Sequence, residues 1–222
     1  MAIYKANTAE MQGNSSMHDN SEMHGNSCMY DNSKMHGNSY MYDNSELHGN
    51  SCMHGNSRMH GNSCMHGNSH MYGNSHMYGK SSMYGNSRMH DNSSMYDNSI
   101  MYDNSCMYDN SRMYGNSRMY DNSIIKNYTH LLSNAILKGD AFCESTADYL
   151  VLGPAKSSQR FTTAHRDTKI GVRINCGCFS GTLTEFEQAI ETTHADNPIF
   201  LAQYRGFVAL IKIHFAHLLS PS

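Results

Sequence analysis

The sequence predicts a mainly β fold, in which a long β-solenoid is followed by a small α+β domain. Three observations lead to this prediction. A six-residue unit, M-[HY]-[GD]-N-S-x, repeats nineteen times without an insertion between Met11 and Ile124. A period of six does not keep Met on one face of a helix, and Gly-Asn-Ser is a poor helical segment. From about Tyr149 the period disappears and the composition becomes that of an ordinary globular domain.

Each unit predicts a short strand followed by a turn. If the segment S-x-M-[HY] is extended, its side chains alternate, so that Ser and Met point to one side and x and His/Tyr to the other. Met is the only large apolar residue that recurs strictly, so the Ser/Met side is predicted to face inward. The Gly/Asp-Asn pair turns the chain, because Gly and Asn tolerate a positive φ. We expect the Asn side chains to satisfy the turn backbone and to stack from coil to coil.

The repeat frame continues beyond the perfect region. Units 131–136 (LLSNAI) and 137–142 (LKGDAF) keep the small residue and the turn residues in place, and Ala9 and Ala147 occupy the small position nearer the two ends. From residue 5 to residue 148 the frame holds 24 units. Three units in an 18-residue coil give about eight coils. We therefore predict a solenoid over 1–148 and a small α+β domain over 149–222.

The unit resembles the hexapeptide repeat of left-handed parallel β-helix proteins, in which a large aliphatic residue is followed four places later by a small one. Here these two residues are Met and Ser, as in Met53 and Ser57. The resemblance covers about two thirds of the chain and implies a left-handed parallel β-helix. The array departs from that family by using Met where the family prefers Ile, Leu or Val. Because Met is flexible, this implies a softer core.

The C-terminal domain is predicted to begin with three short strands, at about 149–153, 160–165 and 168–176. The third alternates in polarity and is expected to place three residues on one side, namely Ile170, Val172 and Ile174. A tight turn with buried thiols is expected at Cys176-Gly-Cys178.

Two helices are predicted to follow. Thr182 and Glu185 have the spacing of a capping box, which opens a helix that runs to about residue 193. Asp196-Asn197-Pro198 ends this helix, and a strongly apolar helix is expected over 199–219. A solenoid end needs a cap that prevents end-to-end stacking, and this domain could supply it.

The segment 177–187 (GCFSGTLTEFE), with Thr193-His194 and Asp196-Asn197 after it, resembles the tail of uncharacterised repeat proteins common in phages and gut bacteria. The match covers roughly the C-terminal third of the chain. It carries no assigned chemistry, so it implies a setting rather than an activity.

The outward columns of the array provide the candidate binding surface. Tyr replaces His after Met towards the C-terminal half, and exposed Tyr suits protein contacts. The x position becomes apolar near the end of the array, which indicates that the last coils are covered by the C-terminal domain or by another subunit. The candidate contact residues are Tyr84, Tyr102, Tyr120, Ile100, Ile124, Ile136, Phe142, Thr182 and His194.

No catalytic residue, cofactor or complete metal site is predicted. Stacked His columns, such as His48 and His66, lack the second shell that orients metal-ligating imidazoles. Cys176, Cys178 and His194 come closest to a zinc site, but C-x-C with one distant His lacks a fourth ligand. Cys-His catalysis by Cys178 and His194 has no visible orienting group. At the helix start, a plain cap is favoured over a bound anion.

Composition and charge exclude several classes of protein. A net charge of −3 does not indicate nucleic-acid binding. No apolar run is long enough to span a membrane, and residues 1–10 show no signal peptide. The seven Cys are an odd number without paired spacing, which fits free thiols in a reducing compartment. We expect a cytoplasmic protein, located in the host cytoplasm if it is encoded by a phage.

Our first hypothesis for function is a non-enzymatic, rod-like binding protein that acts through protein contacts and forms a dimer or trimer. The phage-like tail suggests an inhibitor of a host defence or nucleic-acid-processing complex. The alternative implied by the repeat is an acyltransferase, but those enzymes usually carry an extended loop and a degenerate repeat around the site, and this array has neither. A structural or adhesive virion component is the third possibility.

Overall fold

The computed structural model describes residues 3–155 and 159–219, and residues 4–143 form a parallel β-solenoid. Its strands are two residues long, and each pairs in parallel with the third strand after it, as Cys52 pairs with His70. Within the described residues, three strands make one coil, and eight coils stack into three sheets of eight strands. The predicted solenoid of about eight 18-residue coils is therefore confirmed. An 18-residue coil is also what the left-handed assignment requires, and the handedness stays a prediction.

Every solenoid strand joins the x residue of one unit to the first residue of the next unit. The first sheet contains β1 (Tyr4–Lys5), β4 (Glu22–Met23), β7 (Tyr40–Met41), β10 (Arg58–Met59), β13 (His76–Met77), β16 (Ser94–Met95), β19 (Arg112–Met113) and β22 (His130–Leu131). The second sheet contains β2 (Glu10–Met11), β5 (Cys28–Met29), β8 (Glu46–Leu47), β11 (Cys64–Met65), β14 (Ser82–Met83), β17 (Ile100–Met101), β20 (Arg118–Met119) and β23 (Ile136–Leu137). The third sheet contains β3 (Ser16–Met17), β6 (Lys34–Met35), β9 (Cys52–Met53), β12 (His70–Met71), β15 (Arg88–Met89), β18 (Cys106–Met107), β21 (Ile124–Ile125) and β24 (Phe142–Cys143).

Met side chains fill the interior of the solenoid, as predicted. The first residue of every unit from Met23 to Met119 is fully buried, with Leu47 in one of these places. The Ser at the fifth position of each unit, from Ser21 to Ser123, is also fully buried, and these hydroxyls have no hydrogen-bond partner in the part of the chain that the structure describes. Ser is therefore used at this position because it is small enough to pack in the core, and not for hydrogen bonding.

The turns depend on a positive φ at the third residue of the unit and not at the Asn that follows it. Gly61 has a φ of 76° and Asp43 has a φ of 62°. A Cβ at Gly61 would lie 2.7 Å from the carbonyl oxygen of Gly79 in the next coil. Several Asp residues at this place accept a backbone N–H of the adjacent coil, as when Gly61 N donates to Asp43 Oδ2 over 3.1 Å. These Asp carboxylates satisfy turn backbone, whereas the Asn side chains after the second sheet bond to one another.

The Asn residues form the coil-to-coil ladder that was predicted. Along the turns after the second sheet, from Asn14 to Asn122, each Nδ2 donates to the Oδ1 one coil later over 3.0 to 3.4 Å. The last rung runs from Asn122 to Asp140 over 3.3 Å. After the first sheet, Lys80 takes the Asn position next to Asn62 and interrupts the ladder.

The C-terminal domain contains a four-stranded antiparallel sheet of β25 (Tyr149–Leu152), β26 (Thr162–Asp167), β27 (Gly171–Cys176) and β28 (Phe179–Thr182), in that order. A 3-10 turn over Thr146–Asp148 connects the solenoid to β25. The prediction of three strands was wrong because β28 is short and follows a tight turn at Gly177, which has a φ of 61°. Ile170 is also misplaced by the pattern, since it lies in the β26–β27 turn and is 37% exposed.

Three helices follow in the described part of the domain: α1 (Leu183–Thr193), α2 (Pro198–His214) and α3 (Ala216–Leu219). The capping box is confirmed, because Glu185 N donates to Thr182 Oγ1 over 3.2 Å and Thr182 N donates to the Glu185 carboxylate over 2.7 Å. Asn197 caps α2. The single helix predicted over 199–219 is divided at Phe215, whose fully buried ring packs in the domain core.

Side chains of β26 close the end of the second sheet. Thr163 Oγ1 accepts the backbone N–H of Ile136 over 3.1 Å, and His165 Nε2 accepts that of Lys138 over 3.4 Å. Asp167 Oδ2 accepts the backbone N–H of Asp140 over 3.3 Å. Alternate residues of one strand thus satisfy the alternate N–H groups that the last coil leaves open. The C-terminal domain is the cap that the sequence analysis expected.

Tyr149 closes the first sheet in the same way. Its hydroxyl donates to the carbonyl oxygen of His130 over 2.6 Å and accepts the backbone N–H of Leu132 over 3.2 Å. Since both hydrogen-bonding directions of the phenol are used, this side chain replaces one rung of a further coil.

No helix in the described residues is both long and apolar enough to cross a membrane.

Candidate binding surfaces

The second sheet carries a compact group of aromatic, aliphatic and basic side chains. We define the tyrosine face as Tyr84, Ile100, Tyr102, Arg118 and Tyr120. The three Tyr rings stack in parallel, with centroids 5.2 Å and 4.8 Å apart. Ile100 and Arg118 are neighbours in register on β17 and β20. Residues two apart on an extended strand share one side, so both columns project outward together.

Basic groups lie towards the C-terminal end of the tyrosine face. Arg118 is exposed, and Lys138 Nζ lies over the ring of Tyr120, 5.4 Å from its centroid. Burial raises the pKa of Tyr102, and the neighbouring Tyr120 and Tyr84 raise it further. The phenol is therefore a neutral hydrogen-bonding group near pH 7, beside fixed positive charge.

The other apolar x residues lie apart from the tyrosine face. Ile124 and Phe142 are in-register neighbours on the third sheet. Phe142 is flanked by Lys126 Nζ at 4.8 Å and by the Arg166 guanidinium at 5.7 Å from the ring centroid. Ile136 is on the second sheet, but its backbone is bound by the C-terminal domain. Covering by the C-terminal domain therefore accounts for Ile136 and for part of the surface around Phe142.

A second tyrosine ladder, not singled out by the sequence analysis, lies on the first sheet. Tyr78, Tyr96 and Tyr114 stack with centroid distances of 5.1 Å and 4.9 Å. The x residues beside this ladder are polar, with Ser94 between His76 and Arg112. The recurrence of Tyr at the same position of successive coils was the available signal for this ladder. The absence of an aliphatic residue at its centre distinguishes it from the tyrosine face.

The C-terminal domain has a pocket of about 250 Å³ between β28, α1 and α2. Its walls include Cys176, Cys178, Phe179 and His194, and the His194 ring stacks on Tyr204 with a centroid distance of 4.9 Å. The expectation of buried thiols was wrong, because the hairpin turn leaves Cys178 exposed and Cys176 half-buried.

Thr182, another candidate contact residue, is committed to the helix cap by hydrogen bonds to Glu185. It is half-buried, and both its backbone and its hydroxyl are used locally. Nothing in this arrangement orients it towards the pocket that contains His194.

Metal-ligating side chains gather elsewhere than the sequence indicated. Among the described residues, the ligand atoms that lie within 4.8 Å of one another belong to Cys52, His54 and His70, not to the C-x-C turn. The sequence signal for this group was a Cys and a His two residues apart, with a second His 18 residues after the Cys.

The histidine columns are stacked as expected. His18, His36 and His54 follow one another with ring centroids 4.6 Å and 5.0 Å apart. Burial lowers the pKa of His54, and the neighbouring imidazoles of His36 and His70 lower it further. The His54 ring is therefore neutral near pH 7 and adds no net positive charge to the solenoid surface.

Comparison with known proteins adds no family assignment: no protein-family model matches the sequence, and no curated protein shows significant similarity to it.

Proposed function

We propose that the protein is a non-catalytic binding rod whose tyrosine face docks onto a partner protein. The observation that carries the proposal is the preformed stack of Tyr84, Tyr102 and Tyr120, with Ile100 beside it. Rings that are already fixed by stacking lose little conformational freedom when a partner binds. Tyr and Arg are also among the residue types that contribute most to binding energy at protein interfaces.

The regularity of the rod supports this proposal over an acyltransferase. Throughout residues 4–143 of the described chain, each strand begins six residues after the previous one, so no coil carries an extended loop. A catalytic cleft of the acyltransferase kind needs such a loop. A binding rod instead needs outward residues at fixed spacing, which coils of constant length provide.

The resemblance of the tail to phage repeat proteins extends the proposal to a setting. We suggest a partner within a host defence or nucleic-acid-processing complex, met in the host cytoplasm. The proposal includes a dimer or trimer, because a second copy of the chain is one protein that can dock onto the tyrosine face.

The test compares two substitutions in matched ladders. Tyr102→Lys removes the middle ring of the tyrosine face, and Tyr96→Lys removes the middle ring of the first-sheet ladder. Lys is compatible with this position, because Lys138 occupies it in the last coil. The tagged full chain and both variants are used for affinity purification from a host lysate. A recovered partner is then purified, and its affinity is measured by calorimetry.

The expected result is a stoichiometric partner that binds the wild type and Tyr96→Lys equally, and Tyr102→Lys at least about tenfold more weakly. Light scattering that shows a dimer or trimer dissociated only by Tyr102→Lys would support docking of a second copy. Recovery of no stoichiometric partner by a chain that light scattering also shows to be monomeric, or equal binding by both variants, would refute the assignment of the face. Saturable binding of acetyl-CoA would refute the non-catalytic function.

A further inference from the structure

Three metal-ligating side chains meet on the third sheet, away from the tyrosine face. Cys52 and His54 are two residues apart on one extended segment, so their side chains share one side of the sheet. His70 pairs with Cys52 in register from the next coil. One ligand atom from each residue lies within 4.8 Å of the other two. Solenoid stacking thus brings together residues that are distant along the chain.

We propose that Cys52, His54 and His70 form a zinc site with one open coordination position. Tetrahedral zinc, with a bond of about 2.3 Å to sulfur and about 2.0 Å to nitrogen, requires ligand atoms about 3.3 to 3.6 Å apart. The ligand atoms of the observed group lie within 4.8 Å of one another, which exceeds this spacing by up to about 1.2 to 1.5 Å. The three side chains are half-buried, and rotation about their χ angles is the contraction that the proposal requires.

A second observation points to a ligand at the same place. Nδ1 of His70 is buried and has no hydrogen-bond partner in the described structure. A buried polar atom without a partner is destabilising in general. Coordination of a metal ion through this nitrogen would satisfy it. Cys52 Sγ makes a long contact of 3.6 Å to the carbonyl oxygen of Asn50, which is weak compared with a bond to a metal ion.

The chemistry of the donor set selects the metal. It contains one thiol and two imidazoles and no carboxylate, and Lys34 and Arg88 are the next residues of the same column. These positive charges disfavour ions such as Ca²⁺ and Mg²⁺, which bind oxygen ligands mainly through charge. A metal that bonds strongly to thiolate and imidazole is favoured instead. Binding converts Cys52 from thiol to thiolate and releases its proton to solvent.

A tetrahedral ion with three protein ligands keeps a fourth position, which would hold water. The group therefore has the three protein ligands and one open position that are typical of accessible zinc sites.

Cobalt titration of the reduced full chain tests the site, because Co²⁺ replaces Zn²⁺ and reports its ligands by absorption. We expect one equivalent of Co²⁺ to produce a thiolate-to-cobalt charge-transfer band together with the intense visible bands of four-coordinate cobalt, and one equivalent of Zn²⁺ to abolish both. Absence of the charge-transfer band would overturn the proposal. Tight binding of Cu⁺ without binding of Zn²⁺ would overturn the zinc assignment.

The variants separate this site from adventitious binding by the histidine columns. Cys52→Ser and His70→Gln should each remove the charge-transfer band and weaken zinc binding by more than about 100-fold. Cys64→Ser is the matched control, because Cys64 and His66 have the same spacing but Ser82 lies where the third ligand would be. It should leave the band unchanged. Equal metal binding by all the variants, or loss of the band only in Cys64→Ser, would overturn the proposal. Unfolding curves without metal verify that each variant is folded.

Discussion

Acidification should weaken the cap at His165, the fully buried histidine between the C-terminal domain and the last coil. Its Nε2 faces two donors, the backbone N–H of Lys138 at 3.4 Å and Asn175 Nδ2 at 3.0 Å. Its Nδ1 donates to the carbonyl oxygen of Arg166 over 3.0 Å. The neutral ring with its proton on Nδ1 satisfies all three contacts. A proton on Nε2 would point towards the N–H groups of Lys138 and Asn175 and would remove the acceptor of both hydrogen bonds.

The magnitude follows from the pKa of His165, which burial lowers from the ordinary 6.5 to about 4. In the unfolded chain the ring takes up its proton near pH 6.5, whereas in the folded protein it stays neutral until about pH 4. The stability that depends on the neutral ring is therefore fully present above pH 6.5 and is lost progressively as the pH falls towards 4. At pH 5 the loss amounts to about 2 kcal/mol.

Urea unfolding at pH 7.5 and pH 5.0, followed by circular dichroism, measures this loss. Other partly buried histidines, such as His60 and His76, also have a lowered pKa and add to the acid sensitivity of the wild type. The quantity that isolates the cap is the difference between the wild type and His165→Gln. This variant should lose about 2 kcal/mol less between the two pH values.

His18→Gln is the control, because His18 is exposed in the first coil. We expect it to lose as much stability as the wild type. If wild type and His165→Gln lost the same free energy of unfolding on acidification, the assignment of a neutral, hydrogen-bonded His165 would be refuted.

Substitutions at three solenoid positions, Gly61, Ser63 and Lys80, test the solenoid by the free energy of unfolding. Gly61→Ala should destabilise the protein by at least about 2 kcal/mol, because Gly61 has a positive φ and a Cβ would meet the next coil. The comparison is Gly206→Ala on α2, where a Cβ would meet nothing. It should stabilise the protein by about 0.5 to 1 kcal/mol. Ser63→Ala should be neutral or stabilising because its buried hydroxyl has no partner, whereas Ser63→Val should cost about 1 to 3 kcal/mol by overpacking. Lys80→Asn should stabilise by about 0.5 to 1 kcal/mol by restoring the Asn ladder. The opposite sign in any of them would contradict the corresponding contact.

The solenoid could be predicted because every unit repeats the same pattern of inward, outward and turn residues. Inward Met and Ser alternate with outward residues, and a turn residue returns every six positions. Even the degenerate units near residue 140 keep this frame. The carboxylate contacts, such as Asp43 with Gly61, could not be foreseen, because they depend on where a side chain points across two coils.

The cap was foreseen only as a role for the C-terminal domain. Its contacts join side chains of β26 to backbone groups 27 residues earlier, as Thr163 does with Ile136. No periodicity marks such pairs, because each depends on the packing of two unlike elements. The missed strand β28 has the same cause, since its residues gain their conformation by pairing with β27.

The candidate surfaces were predicted in part. Equal spacing placed Tyr84, Tyr102 and Tyr120 in one column, and the structure shows them stacked. The cluster at Cys52 and His70 was not predicted, because neighbouring coils pair this Cys with a His and not with a second Cys. The other predicted contact residues belong to two different sheets and to the C-terminal domain. Their spacing in the sequence does not show this, because it depends on the three-dimensional fold.

Photo-crosslinking from the tyrosine face tests the proposed function most directly. A photoreactive phenylalanine analogue is placed at position 102 or, as the matched control, at position 96, and the full chain is irradiated in host cells. The proposal predicts a covalent adduct with one protein species from position 102, and none of that species from position 96. Adducts of equal yield from both positions, or no discrete adduct from position 102, would contradict docking through the tyrosine face.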